Sequence, residues 1–259
     1  MPASTSANTA TPAHAAVLTA GFVLALTSLA PACAQTNLRE ALYGSQFLDQ
    51  RKPQYPVVGR FVAAQGDTFV LDRSGDVALL KFEDSPEVFA LQPMPGPRGD
   101  VIWKNDIGQP VLRSTRLGGL ILFTSERPTG TPAAFSAPST DLKPRPMSPG
   151  VLLRQLAQAS TKASRAARRL LPFEAPEVEA EDAAVYADAA HLVAQGVVTA
   201  SGTEKGRSLL ARIRKVRFTQ GPKPSALVKS GTLEVVVAPD QGLAGRPSSR
   251  RAELAILRR

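Results

Sequence analysis

The sequence predicts an α+β fold: an antiparallel β-rich front half, built as a small barrel or sandwich, then a helical segment and a small α+β C-terminal part. Three observations carry this expectation. Seven short runs rich in Val, Leu and Phe lie between residues 57 and 124, with Gly, Asp, Asn and Pro turns between them. Runs at that spacing fold as antiparallel hairpins. A stretch with six prolines follows at 127–149, and after it the apolar residues recur at steps of three and four, the helical period. A chain of 259 residues holds one or two domains with real cores.

Residues 1–34 read as a signal peptide. Ala15–Ala30 is apolar and uncharged, and Ala32-x-Ala34 fits a peptidase site before Gln35. The run is short for a membrane span and suits a secretory core. No Lys or Arg precedes it, which departs from the usual leader. A buried helix or an uncleaved anchor are the structural alternatives, and a lipid on Cys33 is a third, although Ala30-Pro31-Ala32 is a poor lead-in for one. Cleavage would remove Cys33 and His14 and leave His191 as the sole histidine. That argues against disulfides, thiolate chemistry and a multi-histidine zinc site. No cofactor and no membrane span are expected in the processed chain.

Residues 35–126 form the expected β-rich domain. Leu38–Leu48 is a short helix candidate, ended by Pro53 and Pro56. Strands are expected at 57–64, 68–72, 77–82, 87–91, 100–104, 110–115 and 119–124. The stretch from Arg98 to Thr124 holds the only tryptophan, Trp103, and reads as the centre of this domain. In 77–82, Ala78, Leu80 and Phe82 share one face and Lys81 takes the other. Residues 127–149 read as an extended linker and as the domain boundary.

Residues 150–259 form the expected basic α+β region. Ser148 caps a helix and Pro149 opens it. Leu152, Leu156, Ala159, Ala163, Ala166 and Leu170 line one side, with Arg154, Lys162, Arg165, Arg168 and Arg169 opposite. Pro172 is the expected stop. The alanine-rich stripe suits a docked helix with a solvated basic face better than a membrane-binding one. An acidic run from Glu174 to Asp182 follows. A second helix spans Glu181–Gln195, closed by Gly196 as C-cap. A third covers Thr203–Arg212, strands cover 214–219 and 232–238, and Ser248 or Ser249 caps a last helix through Leu257.

Charge is the sharpest feature. Residues 203–259 hold 13 Lys+Arg against 4 Asp+Glu, whereas residues 35–202 hold 18 of each. The entire net charge of +9 therefore sits in the last part. Such asymmetry suggests an anionic partner. For an exported protein that means a lipid head group, lipopolysaccharide phosphate or an acidic polymer sooner than nucleic acid; a solubilising surface is the ordinary alternative. Gly245-Arg246-Pro247-Ser248-Ser249-Arg250-Arg251 concentrates the charge at a helix entry, where free N–H groups suit an anion. Arg246, Ser248, Ser249 and Arg250 are the candidate anion-binding residues, against an ordinary N-cap. It is not a P-loop.

Other constellations are weaker. Glu83, Asp84 and Glu87, with Asp100 and Asp106 further on, offer carboxylates for hydrolysis or calcium, but FEDSPE reads first as a turn. Arg98-Gly99-Asp100 matches an integrin-binding tripeptide at a length where chance suffices. Asp188 and His191 stand three apart on a helix, without a nucleophile elbow to complete a triad.

FVLDRSG, LLKFEDSPEVFAL, PRGDVIWKND-x-G-x-PVLR-x-T-x-LGGL and VAP-x-x-GLAGRPSSRR together resemble a family of uncharacterised exported bacterial proteins, a domain of unknown function. The resemblance spans most of residues 38–257. It implies export and a two-part unit, and carries no activity, cofactor or site residue. The expected function is that of a non-enzymatic envelope or binding protein whose basic part contacts an anionic partner. The alternative is a periplasmic hydrolase using carboxylates near Glu83 and Glu87.

Overall fold

Eight antiparallel strands close the front half into a barrel. The structure, a computed structural model, describes residues 55–176 and 178–258. The leader, Cys33 and the Leu38–Leu48 helix candidate lie outside the described residues. The strands are β1 (Val58–Ala63), β2 (Thr68–Asp72), β3 (Ala78–Phe82), β4 (Val88–Pro95), β5 (Val101–Lys104), β6 (Pro110–Ser114), β7 (Leu120–Leu122) and β8 (Thr131–Pro138). Each pairs with the next, and β8 returns to pair with β1. Alternate residues point inward, so Phe61, Phe69, Leu71, Leu80, Leu91, Leu112 and Leu122 fill the interior. Phe61 stacks on Phe69 with ring centroids 5.5 Å apart, and Phe135 meets Phe61 edge-on. Ala78 and Leu80 are buried and Phe82 packs beside them, as the alternation requires.

The seven expected strands are present; the eighth lies inside the stretch read as a linker. Two of the prolines there, Pro132 and Pro138, stand close to the two ends of β8, where a missing N–H disturbs the ladder least. Between them Ala133 and Phe135 pack against the barrel core. Arg98–Thr124 supplies β5 to β7, one arc of the barrel and not its centre. Trp103 is half-buried there, with its indole N–H donating to Ser114 Oγ at 2.8 Å.

The chain leaves the barrel still attached to it. Asp72 is buried and accepts the N–H groups of Ser74 and Leu142, each at 2.8 Å. Burial alone would raise its pKa, but these bonds and nearby Lys143 hold the carboxyl below its ordinary value. A depressed folded pKa stabilises the fold above the unfolded value of about 4, and that contribution fades as pH falls through the folded value. Asp72→Asn is therefore expected to cost about 1–3 kcal/mol at neutral pH, with the deficit shrinking in acid. Urea unfolding of both proteins at neutral and acid pH checks this, and a deficit independent of pH would contradict it.

The second half begins with α1 (Pro149–Ala167), then β9 (Phe173–Glu174), α2 (Ala183–Ser201), α3 (Glu204–Leu210), β10 (Lys215–Gln220), β11 (Ser225–Lys229), β12 (Thr232–Val237), a 3-10 segment (Pro239–Gly245) and α4 (Ser249–Leu257). The sheet order is β11-β12-β10-β9. β10 runs parallel to both β12 and β9, and β11 antiparallel to β12. β9 and β11 escaped the sequence reading: one has two residues, and the other, Ser225–Lys229, is a short apolar run directly after Pro222 and Pro224. Val216, Phe218, Leu233, Val235 and Val237 turn one sheet face toward the helices.

Helix α2 is apolar almost all round and is the hub of this second core. Helix α1 lays Leu152, Leu156, Ala159 and Ala163 against it, so the stripe docks as expected. The helix ends earlier than Pro172, because Arg168 adopts a left-handed C-cap, φ 54°. Leu170 then lies beyond the helix and is 77% exposed. Leu171 takes the buried place, its N–H donating to Ser164 Oγ at 2.9 Å. Gly196 is not a C-cap either. The helix continues to Ser201, and Gly196 marks the crossing with α4: a Cβ there would lie 2.6 Å from the Ser249 carbonyl oxygen. Glycine inside a helix costs about 1 kcal/mol, and here it admits the α4 backbone. Among the described residues, no helix is long and apolar enough to cross a membrane.

Candidate functional site

The residues expected to bind an external anion meet carboxylates of the barrel instead. Ser248 caps α4, its Oγ accepting the Arg251 N–H at 3.0 Å, as an N-cap serine should. The Ser249 N–H and hydroxyl both donate to Glu87, at 3.0 and 2.5 Å. Glu87 sits directly before β4 and is buried. The Ser248 N–H and Arg251 Nε both donate to Asp106 Oδ2 at 2.9 Å. Asp106 lies in the β5–β6 turn, which Asn105 fixes by accepting the N–H groups of Ile107 and Gln109. Two carboxylates thus stand at the positive end of a helix, a placement worth up to about 2 kcal/mol each when partly buried.

Arg246 completes this clasp. Its side chain is 1% exposed. Nη2 donates to the Val88 carbonyl of the barrel at 2.9 Å, and Nε donates to Asp188 on α2. One guanidinium therefore bridges the barrel and the helical core. Arg250 pairs with Glu253 on its own helix at 2.5 Å. The four residues are brought together as a unit, but Arg246, Ser248 and Ser249 spend their donors inside the chain. The carboxylates that meet Ser248 and Ser249, Asp106 and Glu87, lie more than 140 residues away in sequence.

The remaining sequence candidates separate. Glu83 is exposed and pairs with Arg60 at 2.9 Å, whereas both oxygens of Glu87 are held by Ser249. Neither lines the cavities described below. Asp188 belongs to Arg246, while His191 Nε2 meets Gln155 Oε1 at 2.5 Å, so the two do not act as a pair. Asp100 is buried. It accepts the Arg116 N–H at 2.9 Å and Arg113 Nε at 2.7 Å, and these bonds hold its carboxyl below the ordinary range. The Arg-Gly-Asp tripeptide thus has its acid turned to internal use. Among the described residues, no group of three or more His, Cys, Asp or Glu side chains is placed to hold a metal.

Two cavities among the described residues border these elements. A small one of about 150 Å³ lies beside the clasp, lined by Asp106, Arg251, Leu254 and Arg258 among others. A larger, open groove of about 720 Å³ runs between α1 and α2. Ala157, Ala166 and Val198 give it an apolar floor, and Lys162 and Arg165 stand over it. Sequence reasoning placed these cations on a solvated face and missed the groove. The available signal was that α1 carries Arg and Lys but no Asp or Glu.

The class of protein is now defined: a closed eight-stranded barrel whose carboxylates cap the last helix of a separate, alanine-rich α+β core. The chain belongs to the family described as Domain of unknown function (DUF4908), which it matches over residues 37–256. No curated protein and no solved structure matches it.

Proposed function

We propose that this is an exported, non-enzymatic binding protein of the cell envelope, whose basic C-terminal part contacts an anionic partner. The observation that carries the reading is the unequal use of cations. Lys215, Arg246, Arg250 and Arg251 are neutralised by carboxylates. Among the described residues, Arg154, Lys162, Arg165, Arg207, Arg212 and Arg217 have no carboxylate within ion-pair distance. Uncompensated positive surface attracts anionic lipid, phosphorylated saccharide or acidic polymer. The apolar leader at 15–30 supports export. Hydrolysis at Glu83 and Glu87 is the weaker reading, since Glu87 gives both oxygens to Ser249.

The test is co-sedimentation with phosphatidylglycerol vesicles and retention on heparin resin, each at low and high salt. Binding to at least one polyanion at low salt, lost in high salt, and none to neutral phosphatidylcholine, is expected. Indifference to both polyanions at low salt would overturn the proposal.

A further inference from the structure

The parallel strands of the second sheet gather cations at one end. β9, β10 and β12 run in the same direction, with Phe173 opposite Val216 and Lys215 opposite Thr232, so the segments that lead into them meet at a single rim. Arg168, Arg169 and Leu170 precede β9, Arg212 and Arg214 precede β10, and Lys229 stands at the turn from β11 into β12. Hydrogen bonds hold these segments side by side. Arg169 Nη1 donates to the Ala211 carbonyl at 2.5 Å, Arg214 Nη2 to the Ser230 carbonyl at 2.9 Å and the Arg214 N–H to the Gly231 carbonyl at 2.7 Å. Neighbouring strands lie about 4.8 Å apart, so the rim is on the order of 14 Å wide. All of these cations are exposed, and among the described residues none has a carboxylate within ion-pair distance. Leu170 stands in the same rim and is 77% exposed. Leu171 beside it is buried, and the Pro172 carbonyl accepts the Val216 N–H at 2.9 Å. The segment is therefore anchored with the Leu170 side chain in water.

We infer that this end of the α+β core docks on an anionic lipid surface, with its cations at the phosphate head groups and Leu170 entering the edge of the acyl layer. The inference rests on the anionic-partner reading above and gives it a place and a partner. Cations alone suit any polyanion. An exposed leucine among arginines gains nothing from a hydrated acidic polymer, whereas a bilayer takes it out of water just beneath the phosphates. A lipid surface also engages cations from separate segments at once when they share one rim.

The experiment mixes the full chain with vesicles of equimolar phosphatidylglycerol and phosphatidylcholine, with phosphatidylcholine alone as the neutral blank. Leu170→Trp reports contact at this end: brominated phosphatidylglycerol is expected to quench its emission beyond any quenching of Trp103 in the unaltered chain. Each cation at an anionic surface is worth about fivefold, so Arg168→Glu is expected to weaken co-sedimentation at least about fivefold, and the triple variant Arg168→Glu, Arg212→Glu, Lys229→Glu on the order of 100-fold. Arg154 is an unpaired cation about 21 Å back along α1 at helical rise, beyond the screening length of about 10 Å at 0.1 M salt. Arg154→Glu is therefore expected to change affinity less than about twofold. Leu170→Gln is expected to weaken vesicle binding at least about threefold and to leave retention on heparin unchanged. Every substituted side chain is exposed, and circular dichroism checks that each variant is folded. No added quenching in Leu170→Trp, undiminished binding by the triple variant, vesicle binding indifferent to Leu170→Gln, or as large a loss in Arg154→Glu as in Arg168→Glu would each overturn the inference. If these variants fail to discriminate while the unaltered chain still binds phosphatidylglycerol vesicles or heparin, only the placement at this rim falls. If neither polyanion is bound, the broader reading falls with it.

Discussion

Arg246→Ala is expected to destabilise the protein by about 3 kcal/mol or more. The side chain is 1% exposed and holds two groups that no other residue replaces, the Asp188 carboxylate and the Val88 carbonyl. Truncation leaves that carbonyl buried with an unfilled space beside it. Asp188 is 31% exposed and regains some water, which keeps the loss at the lower end of the range for a broken buried pair. Urea denaturation provides the measure. Arg246→Lys keeps the charge but cannot reach two directions with a rigid fork, so it should recover only part of the loss. A double-mutant cycle with Asp188→Ala should return a coupling of about 1 kcal/mol or more. Additive losses would mean that the guanidinium and the Asp188 carboxylate do not interact.

Gly245→Ala is expected to be comparably damaging although it adds one methyl group. A Cβ at this position would lie 1.7 Å from the Ala238 carbonyl oxygen and 2.6 Å from its carbon. Both are backbone atoms, so no side-chain rotation relieves the clash. The Ala238 N–H to Gly245 carbonyl bond, 2.6 Å long, must open, and with it the turn that aims Arg246. Overpacking typically costs 1–3 kcal/mol; loss of the clasp carries this case to about 3 kcal/mol or beyond. Because both substitutions disable one device, the Gly245→Ala, Arg246→Ala double variant should lose less than the sum of the singles. Wild-type stability of Gly245→Ala in urea would contradict the close approach.

Much of the fold is legible locally. Short apolar runs between turn residues exposed seven strands, and Ser148-Pro149 and Ser248 marked two helix starts. What was hidden depended on distant partners. Thr131–Pro138 has the prolines of a spacer, and only its place between β1 and β7 makes it a strand. Gly196 looks like a helix stop until α4 is seen passing over it. The candidate site follows the same division. Position and sign of the charge at 246–251 could be read from the chain. That Glu87 and Asp106 satisfy it could not, because no periodicity links a β-turn to a helix more than 140 residues later. The groove beside Lys162 likewise requires two helices to be laid together.

The late position of β8 decides where this chain can be divided. A fragment stopped at residue 126, the boundary that composition suggests, would keep seven strands and leave β1 and β7 with unsatisfied ladders facing water. Such rims recruit strands from other molecules, so that fragment is prone to self-association. One ended after Pro138 seals the ring but discards Leu142, whose N–H reaches back to Asp72.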